Sequence, residues 1–95
     1  MDTIGKVVLE LYVRGQSTHS MAAVELVRRV CESHLHSRYR LDVIDISQQP
    51  ERVPEASIRA TPALVRRSPG PVLRITGRLT EARVLEGLGI PPQSV

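Results

Sequence analysis

The segment KVVLELYV, at positions 6–13, constrains the fold of this chain more than any other stretch. Its residues are nearly all apolar or β-branched, which is typical of a central strand covered on both faces. A polar turn follows, and from position 21 to about 35 the apolar residues recur at helical spacing, so we expect an amphipathic helix. YRLDVIDI, at 39–46, predicts a second strand. Two strands joined by a helix predict a right-handed parallel βαβ unit.

The second half of the chain is interrupted by prolines and contains shorter elements. SQQPERVPEASIRA has room for one helical turn or two at most, and PALVRR and PVLRI predict two short strands joined through SPG. Thr80 is the expected N-cap of a last helix over 81–88, which Gly89 and the following proline pair end. We therefore expect one α/β domain over residues 1–95, in the order β-α-β-(α)-β-β-α. Aromatic residues are only 2% of the chain, so its core must be aliphatic.

Composition excludes several classes of function. The net charge is +3 and the pI about 9.8, but acidic residues interleave with the arginines and aromatic stacking residues are scarce, so we expect no nucleic-acid partner. No apolar run approaches the roughly 20 residues that cross a bilayer, so we expect no membrane association. The single cysteine, Cys31, excludes an internal disulfide. We expect a cytoplasmic protein.

The turn after the first strand is where many α/β proteins place a redox cysteine pair, a phosphate cradle or a nucleophile. Here it reads GQST, without sulfur, and its lone glycine is not a phosphate-binding motif. We expect Ser17 or Thr18 to cap the helix and Gly15 to permit the turn. His19 cannot pair with its neighbouring serines, because adjacent helical side chains diverge. We therefore predict no catalytic residue and no enzymatic activity.

Two further groups of residues were considered as sites. Cys31, His34 and His36 are too few and too divergent for a structural zinc, so we expect no metal or other cofactor, and Cys31 should be a small core residue. Arginines are frequent in the second half of the chain and suit either a protein-docking face or a plain solvated edge. Both interpretations stay open for this set: Arg66, Arg67, Arg74, Arg78 and Arg83.

Five ordered motifs resemble one family. ATP, at 60–62, stands where a thioredoxin-like fold has a cis-proline, and LYVRGQSTHS, LDVIDISQQP, ATPAL, PGPVLRITGRLT and RVLEGLGI are similar to LYVAGNTPNS, LKVIDVLKNP, ATPTL, PPPVRRIIGDLS and KVLIGLDLL of the KaiB family of circadian-clock proteins. The resemblance implies a thioredoxin-like domain with an alternative ground-state fold. It also implies a non-enzymatic adaptor that binds the KaiC ATPase and then a KaiA-like protein. In the free state it implies a homo-oligomer, a dimer or tetramer.

The resemblance also assigns residues. We expect partner binding by Arg74, Arg78, Arg83, Gly87 and Gly89, and fold-determining roles for Gly15, Pro62, Pro71 and Gly77. Several positions depart from the family stretches: Ala22 replaces a basic residue, Asp42 a lysine, and Arg78 and Gly89 aspartates. The alternative function is a thioredoxin-like sensor or interaction domain, like that of the kinase SasA, which would serve a histidine kinase or a stress pathway.

The last predicted helix contains a glycine, and glycine costs a helix about 1 kcal/mol relative to alanine. From the sequence we therefore expect that Gly87→Ala, alone or with Gly89→Ala, would stabilise the thioredoxin-like form.

Overall fold

The computed structural model describes residues 6–52 and 61–89. Its helices and strands alternate in the first half, whereas the second half has two adjacent strands and a final helix. The elements are β1 Val7–Val13, α1 Thr18–His34, β2 Tyr39–Asp45, β3 Ala63–Ser68, β4 Leu73–Thr76 and α2 Glu81–Leu88, with a short 3₁₀ turn at Pro50–Arg52. No helix in these described ranges is long and apolar enough to span a bilayer.

The strands form one four-stranded sheet in the order β2-β1-β3-β4. β1 is parallel to β2, which confirms the predicted βαβ unit, and antiparallel to β3, while β4 pairs antiparallel with β3 at the sheet edge. Most of the predicted helical turn of residues 47–60 lies outside the described residues, and so does Ala60. The order β-α-β-β-β-α, with the 3₁₀ turn before β3, gives the predicted thioredoxin-like layout.

β1 is covered on both faces, as its composition predicted. Leu9 and Leu11 have no exposed surface and belong to the main core, which α1 and α2 complete with side chains such as Val27 and Val84. Tyr12 points to the opposite face, where it is 1% exposed. It packs there in a smaller apolar group with Ile44, Ala63 and Val65.

α1 begins three residues earlier than the apolar spacing indicated. Ser17 is extended, and its Oγ accepts the N–H of Ser20 at 3.2 Å, so the polar residues before position 21 form a capped first turn. Cys31 is completely buried on the inner face of this helix, as predicted, and burial raises the pKa of its thiol to about 11.

α2 has the predicted bounds and the predicted N-cap. Thr80 Oγ1 accepts the N–H of Arg83 at 3.2 Å, and Gly89 ends the helix in the left-handed conformation at φ 77°. An alanine at position 89 would be strained by about 1 kcal/mol in that conformation. The expectation that Gly89→Ala stabilises the thioredoxin-like form was therefore wrong, because residue 89 is the cap rather than part of the helix.

Candidate functional site

Three loops meet at one end of the sheet: the turn after β1, the segment before β3 and the turn after β4. Gly77 donates its N–H to the Pro62 carbonyl at 3.2 Å, which joins the second and third loops. Ser20 Oγ donates to the Arg14 carbonyl at 3.1 Å, which holds α1 to the end of β1. These bonds enclose an open groove of about 1070 Å³ beside α1.

This α1 groove has an apolar floor and a basic rim. Leu26 and Leu79 are half-buried against the main core, and Pro62 lies beside them. The charged side chains that line it are Arg14, Glu25, Arg29 and Arg78, with His19 nearby on the first turn of α1. The groove thus pairs apolar surface with an excess of positive charge.

Backbone geometry at this end of the sheet depends on the residues predicted to determine the fold. Gly15 and Gly77 have φ of 67° and 87°, a region that favours glycine, and the peptide bonds that precede Pro62 and Pro71 are cis. Gly15 donates its N–H to Asp45 Oδ1 at 2.9 Å, which joins the ends of β1 and β2. The hydroxyl of Ser47, at 2.6 Å, is the main cause that lowers the pKa of Asp45, and the Gly15 N–H adds to it.

The turn before α1 supplies no activated nucleophile among the residues described. Ser17 is used as the helix cap, and the Ser20 hydroxyl donates to a backbone carbonyl. Cys31 is buried away from the groove with a raised pKa, so little of it is thiolate at neutral pH. Within residues 6–52 and 61–89, no three His, Cys, Asp or Glu side chains are grouped to hold a metal ion.

The arginines of the second half do not form one cluster, because the sheet separates them. Arg74 lies opposite Val65 in the β3–β4 register and so shares the sheet face of Tyr12. Arg78 and Arg83 lie at the start of α2, where Arg83 Nη1 donates to the Arg78 carbonyl at 2.7 Å. Arg74, Arg78 and Arg83 are all exposed, and together they follow the edge from β4 to α2.

Of the two glycines expected at the partner surface, only Gly89 is exposed. Gly87 is buried, and a Cβ built there would collide with Ile75 Cδ1 and lie 3.3 Å from Ile75 Cγ1. Gly87 therefore allows α2 to approach β4 closely, and it has little surface to offer a partner. We leave it out of the proposed docking surface for this reason.

A polar group that the sequence analysis missed lies on the sheet face away from the helices. Glu10 accepts Arg67 Nε at 2.9 Å and the Tyr12 hydroxyl at 2.8 Å, and its other oxygen is 3.8 Å from Arg52 Nη2. Arg52 Nη2 also donates to Asp42 Oδ2 at 3.0 Å. We call these five residues the Glu10 cluster. Its signal in the sequence was Glu10 within an otherwise apolar strand.

The Glu10 cluster also explains one departure from the family stretches. Glu10 and Asp42 are register partners on neighbouring parallel strands, an arrangement that repels unless a cation lies between them. Arg52 supplies that cation, and the bond from Arg52 to Asp42 is the main cause that raises the Arg52 pKa. Asp42 is therefore used within the fold.

This layout, with a cis-proline beside a helix N-terminus that carries no cysteine, defines a thioredoxin-like domain without the redox site. The KaiB domain model matches residues 10–89, and the chain belongs to the KaiB family. It is 36% identical to the circadian clock protein KaiB3 of Synechocystis, over 97% of this chain and 91% of that protein. It is 42% identical to the circadian clock oscillator protein KaiB of a Synechococcus strain, over 87% of this chain and 76% of that one.

Solved structures agree with the fold. The N-terminal domain of Synechococcus elongatus SasA superimposes with a TM-score of 0.78 at 24% identity, over 93% of this chain and 84% of that domain. Chloroplastic thioredoxin z gives 0.72 at 20% identity, over 90% of this chain and 77% of that one. These likenesses confirm the predicted thioredoxin-like architecture.

Proposed function

We propose that this KaiB-family protein is a non-enzymatic clock adaptor that docks on a KaiC-type ATPase by protein–protein contact. The observation that carries the proposal is the match to the KaiB domain across residues 10–89, with relatives named as circadian clock proteins. In the resulting complex, a KaiA-like protein is the expected further partner. The proposed docking surface, called the β4–α2 edge, consists of Arg74, Arg78, Arg83 and Gly89.

The electrostatics of the β4–α2 edge support docking on an acidic surface. Its three arginines are exposed, and no carboxylate among the described residues lies within ion-pair distance of them. Unpaired surface charges of one sign accelerate association with an oppositely charged partner, and salt weakens that effect.

Association kinetics with a purified KaiC-type ATPase test this surface. We expect Arg74→Glu and Arg83→Glu each to slow association several-fold at low salt, with the difference shrinking as ionic strength rises. Arg40→Glu is the matched control, because Arg40 is an exposed arginine on β2, at the opposite edge of the sheet. Unchanged rates for both variants at every salt concentration would place docking elsewhere, and no association of the wild type would overturn the adaptor function.

Absence of thiol chemistry is tested separately. We expect no insulin reduction and no glutathione transfer, because the Cys31 thiol is buried with a pKa of about 11. Alkylation of Cys31 should be slow in the native protein and become fast in denaturant. Turnover that Cys31→Ser abolishes would show that the thiol is reached and reactive, and turnover that survives it would reveal another catalytic group.

The second candidate function is a thioredoxin-like sensor or interaction domain of a histidine kinase or stress pathway. The thioredoxin-like fold of the chain, shared with the SasA domain, favours it. A KaiB-type adaptor would instead form a dimer or tetramer and exchange with a second fold. Size measurement with amide NMR distinguishes the two: an entirely monomeric protein without an exchanging minor state favours the sensor domain.

A further inference from the structure

The arginines of the α1 groove are not used within the described structure. No carboxylate in residues 6–52 or 61–89 lies within ion-pair distance of Arg14, Arg29 or Arg78, and their guanidinium groups donate none of the hydrogen bonds found there. Arg52 and Arg67, by contrast, are both paired with carboxylates. Glu25 is the lone acidic side chain among those that line the groove.

We propose that the α1 groove binds an acidic segment of a partner protein. Its carboxylates pair with Arg14, Arg29 and Arg78, while an apolar side chain of the same segment packs on Leu26 and Leu79. This inference rests on the proposed adaptor function and adds to it the chemistry of the bound segment. Arginine suits the role because its guanidinium can hold a carboxylate through two parallel hydrogen bonds.

The shape and lining of the groove favour a peptide over other anions. Its volume of about 1070 Å³ is at the upper limit of typical small-molecule pockets, and it is open along one side. A single strand of nucleic acid would need aromatic side chains on which its bases stack, and none is among the residues that line the groove. The apolar floor suits a side chain that a bare phosphate or carboxylate does not have.

The basic rim is a feature of this chain rather than of the family stretches. Arg14 stands where LYVAGNTPNS has alanine, and Arg78 where IIGDLS has aspartate, so two neutral or acidic positions have become basic. Ala22 changes in the other direction, and it places a small apolar side chain in the groove. The groove of this chain should therefore select a more acidic and more apolar segment than those family stretches would.

A peptide titration tests the proposal without any ATPase. The probe is a short fluorescein-labelled peptide in which glutamates alternate with leucines, compared with peptides that carry glutamine or lysine in place of glutamate. We expect saturable binding of the acidic peptide only. The triple variant Arg14→Ser, Arg29→Ser, Arg78→Ser should weaken it about tenfold or more, since exposed ion pairs contribute up to about 1 kcal/mol each.

The matched control removes the same charge elsewhere, in the triple variant Arg28→Ser, Arg38→Ser, Arg40→Ser, whose arginines are exposed and do not line the groove. It should bind the acidic peptide within about twofold of the wild type, the scale of long-range screened charge effects. Amide NMR should place the peptide-induced shifts at residues 14–20 and 77–79. Circular dichroism checks that both triple variants are folded.

Several results would overturn the proposal. These are no saturable binding by the acidic peptide, equal losses in the two triple variants, shifts away from the groove, or tighter binding by a single-stranded DNA oligomer than by the peptide. Failure of the adaptor function is distinguishable from these. If the peptide binds the groove but no KaiC-type ATPase binds the protein, only the adaptor function fails; if the ATPase binds and the groove variant is neutral, only the groove proposal fails.

Discussion

Arginines on two sides of this molecule have opposite surroundings. In the Glu10 cluster, Arg52 and Arg67 are held by carboxylates on the open face of the sheet. In the α1 groove, Arg14, Arg29 and Arg78 line a cavity and meet no carboxylate of the described chain within ion-pair distance. The same residue type thus stabilises the fold in one region and is left free for binding in the other.

The difference follows from how each region is built. Parallel pairing of β1 with β2 forces Glu10 beside Asp42, so arginines must neutralise that face if the sheet is to form. At the groove, backbone bonds position the loops instead, such as the bond from Gly77 N–H to the Pro62 carbonyl. Because the main chain does that structural work, the arginine side chains there are not needed for folding.

The largest expected effect is on the Glu10 cluster. Glu10→Ala should lower the free energy of unfolding by about 2 kcal/mol, because Tyr12 and Arg67 lose their acceptor on a half-buried face. Arg14→Ala in the groove should change it by about 0.5 kcal/mol or less. Urea unfolding of the two variants measures both, with Glu10→Gln as a variant that keeps the shape. Equal losses at Glu10 and Arg14 would remove the distinction between the two regions.

An intermediate effect is expected where α2 packs on the sheet and positions one wall of the groove. The sequence alone predicted that Gly87→Ala would stabilise this fold, but the added Cβ would collide with Ile75 Cδ1. Overpacking costs about 1–3 kcal/mol, more than the helix gains from alanine, so we expect a net loss of about 1 kcal/mol.

Ile75→Val provides the test of that explanation, because it removes the colliding methyl group. In urea unfolding, the double variant should be about as stable as Ile75→Val alone, so the two changes should be non-additive. Additive losses, or a gain for Gly87→Ala alone, would show that the close approach of α2 to β4 is not what requires glycine.

Local signals in the sequence predicted most of the fold. The both-sided burial of β1, the bounds of α2 and the cap at Thr80 follow from residue periodicity and capping chemistry over a few positions. The cis bond before Pro62 and the burial of Cys31 were also expected. Each of these depends on a short stretch of chain, and the family motifs supplied the order of the elements.

Features that depend on distant residues were not predictable in the same way. The contact of Gly87 with Ile75 and the bond from Arg67 to Glu10 each depend on how separate elements pack. The arginines of the second half read as one patch along the sequence. The alternation of side chains across β3 and β4 then separates Arg67 and Arg74 from Arg66, which shares the helix side with Leu64.

The smallest expected effect concerns Asp45, the carboxylate at the groove end of the sheet that is used internally. Hydrogen bonds from Ser47 and Gly15 lower its pKa in the folded protein. A lowered pKa means that the ionised group favours the folded state. Its contribution is therefore present above the unfolded pKa of about 3.9 and is lost as the pH falls through the lower folded value.

Asp45→Asn keeps an oxygen acceptor but removes that charge, so we expect a small decrease in Tm at pH 7 that disappears as the pH falls below about 4. Thermal unfolding of wild type and variant at pH 7, pH 5 and pH 3 measures the difference. Glu86→Gln is the control, because Glu86 is exposed on α2 and its side chain makes no hydrogen bond or ion pair found among the described residues. A difference that persists unchanged at pH 3 would mean that the Asp45 oxygen acts through shape alone, and the internal use of charge would then be confined to the Glu10 cluster.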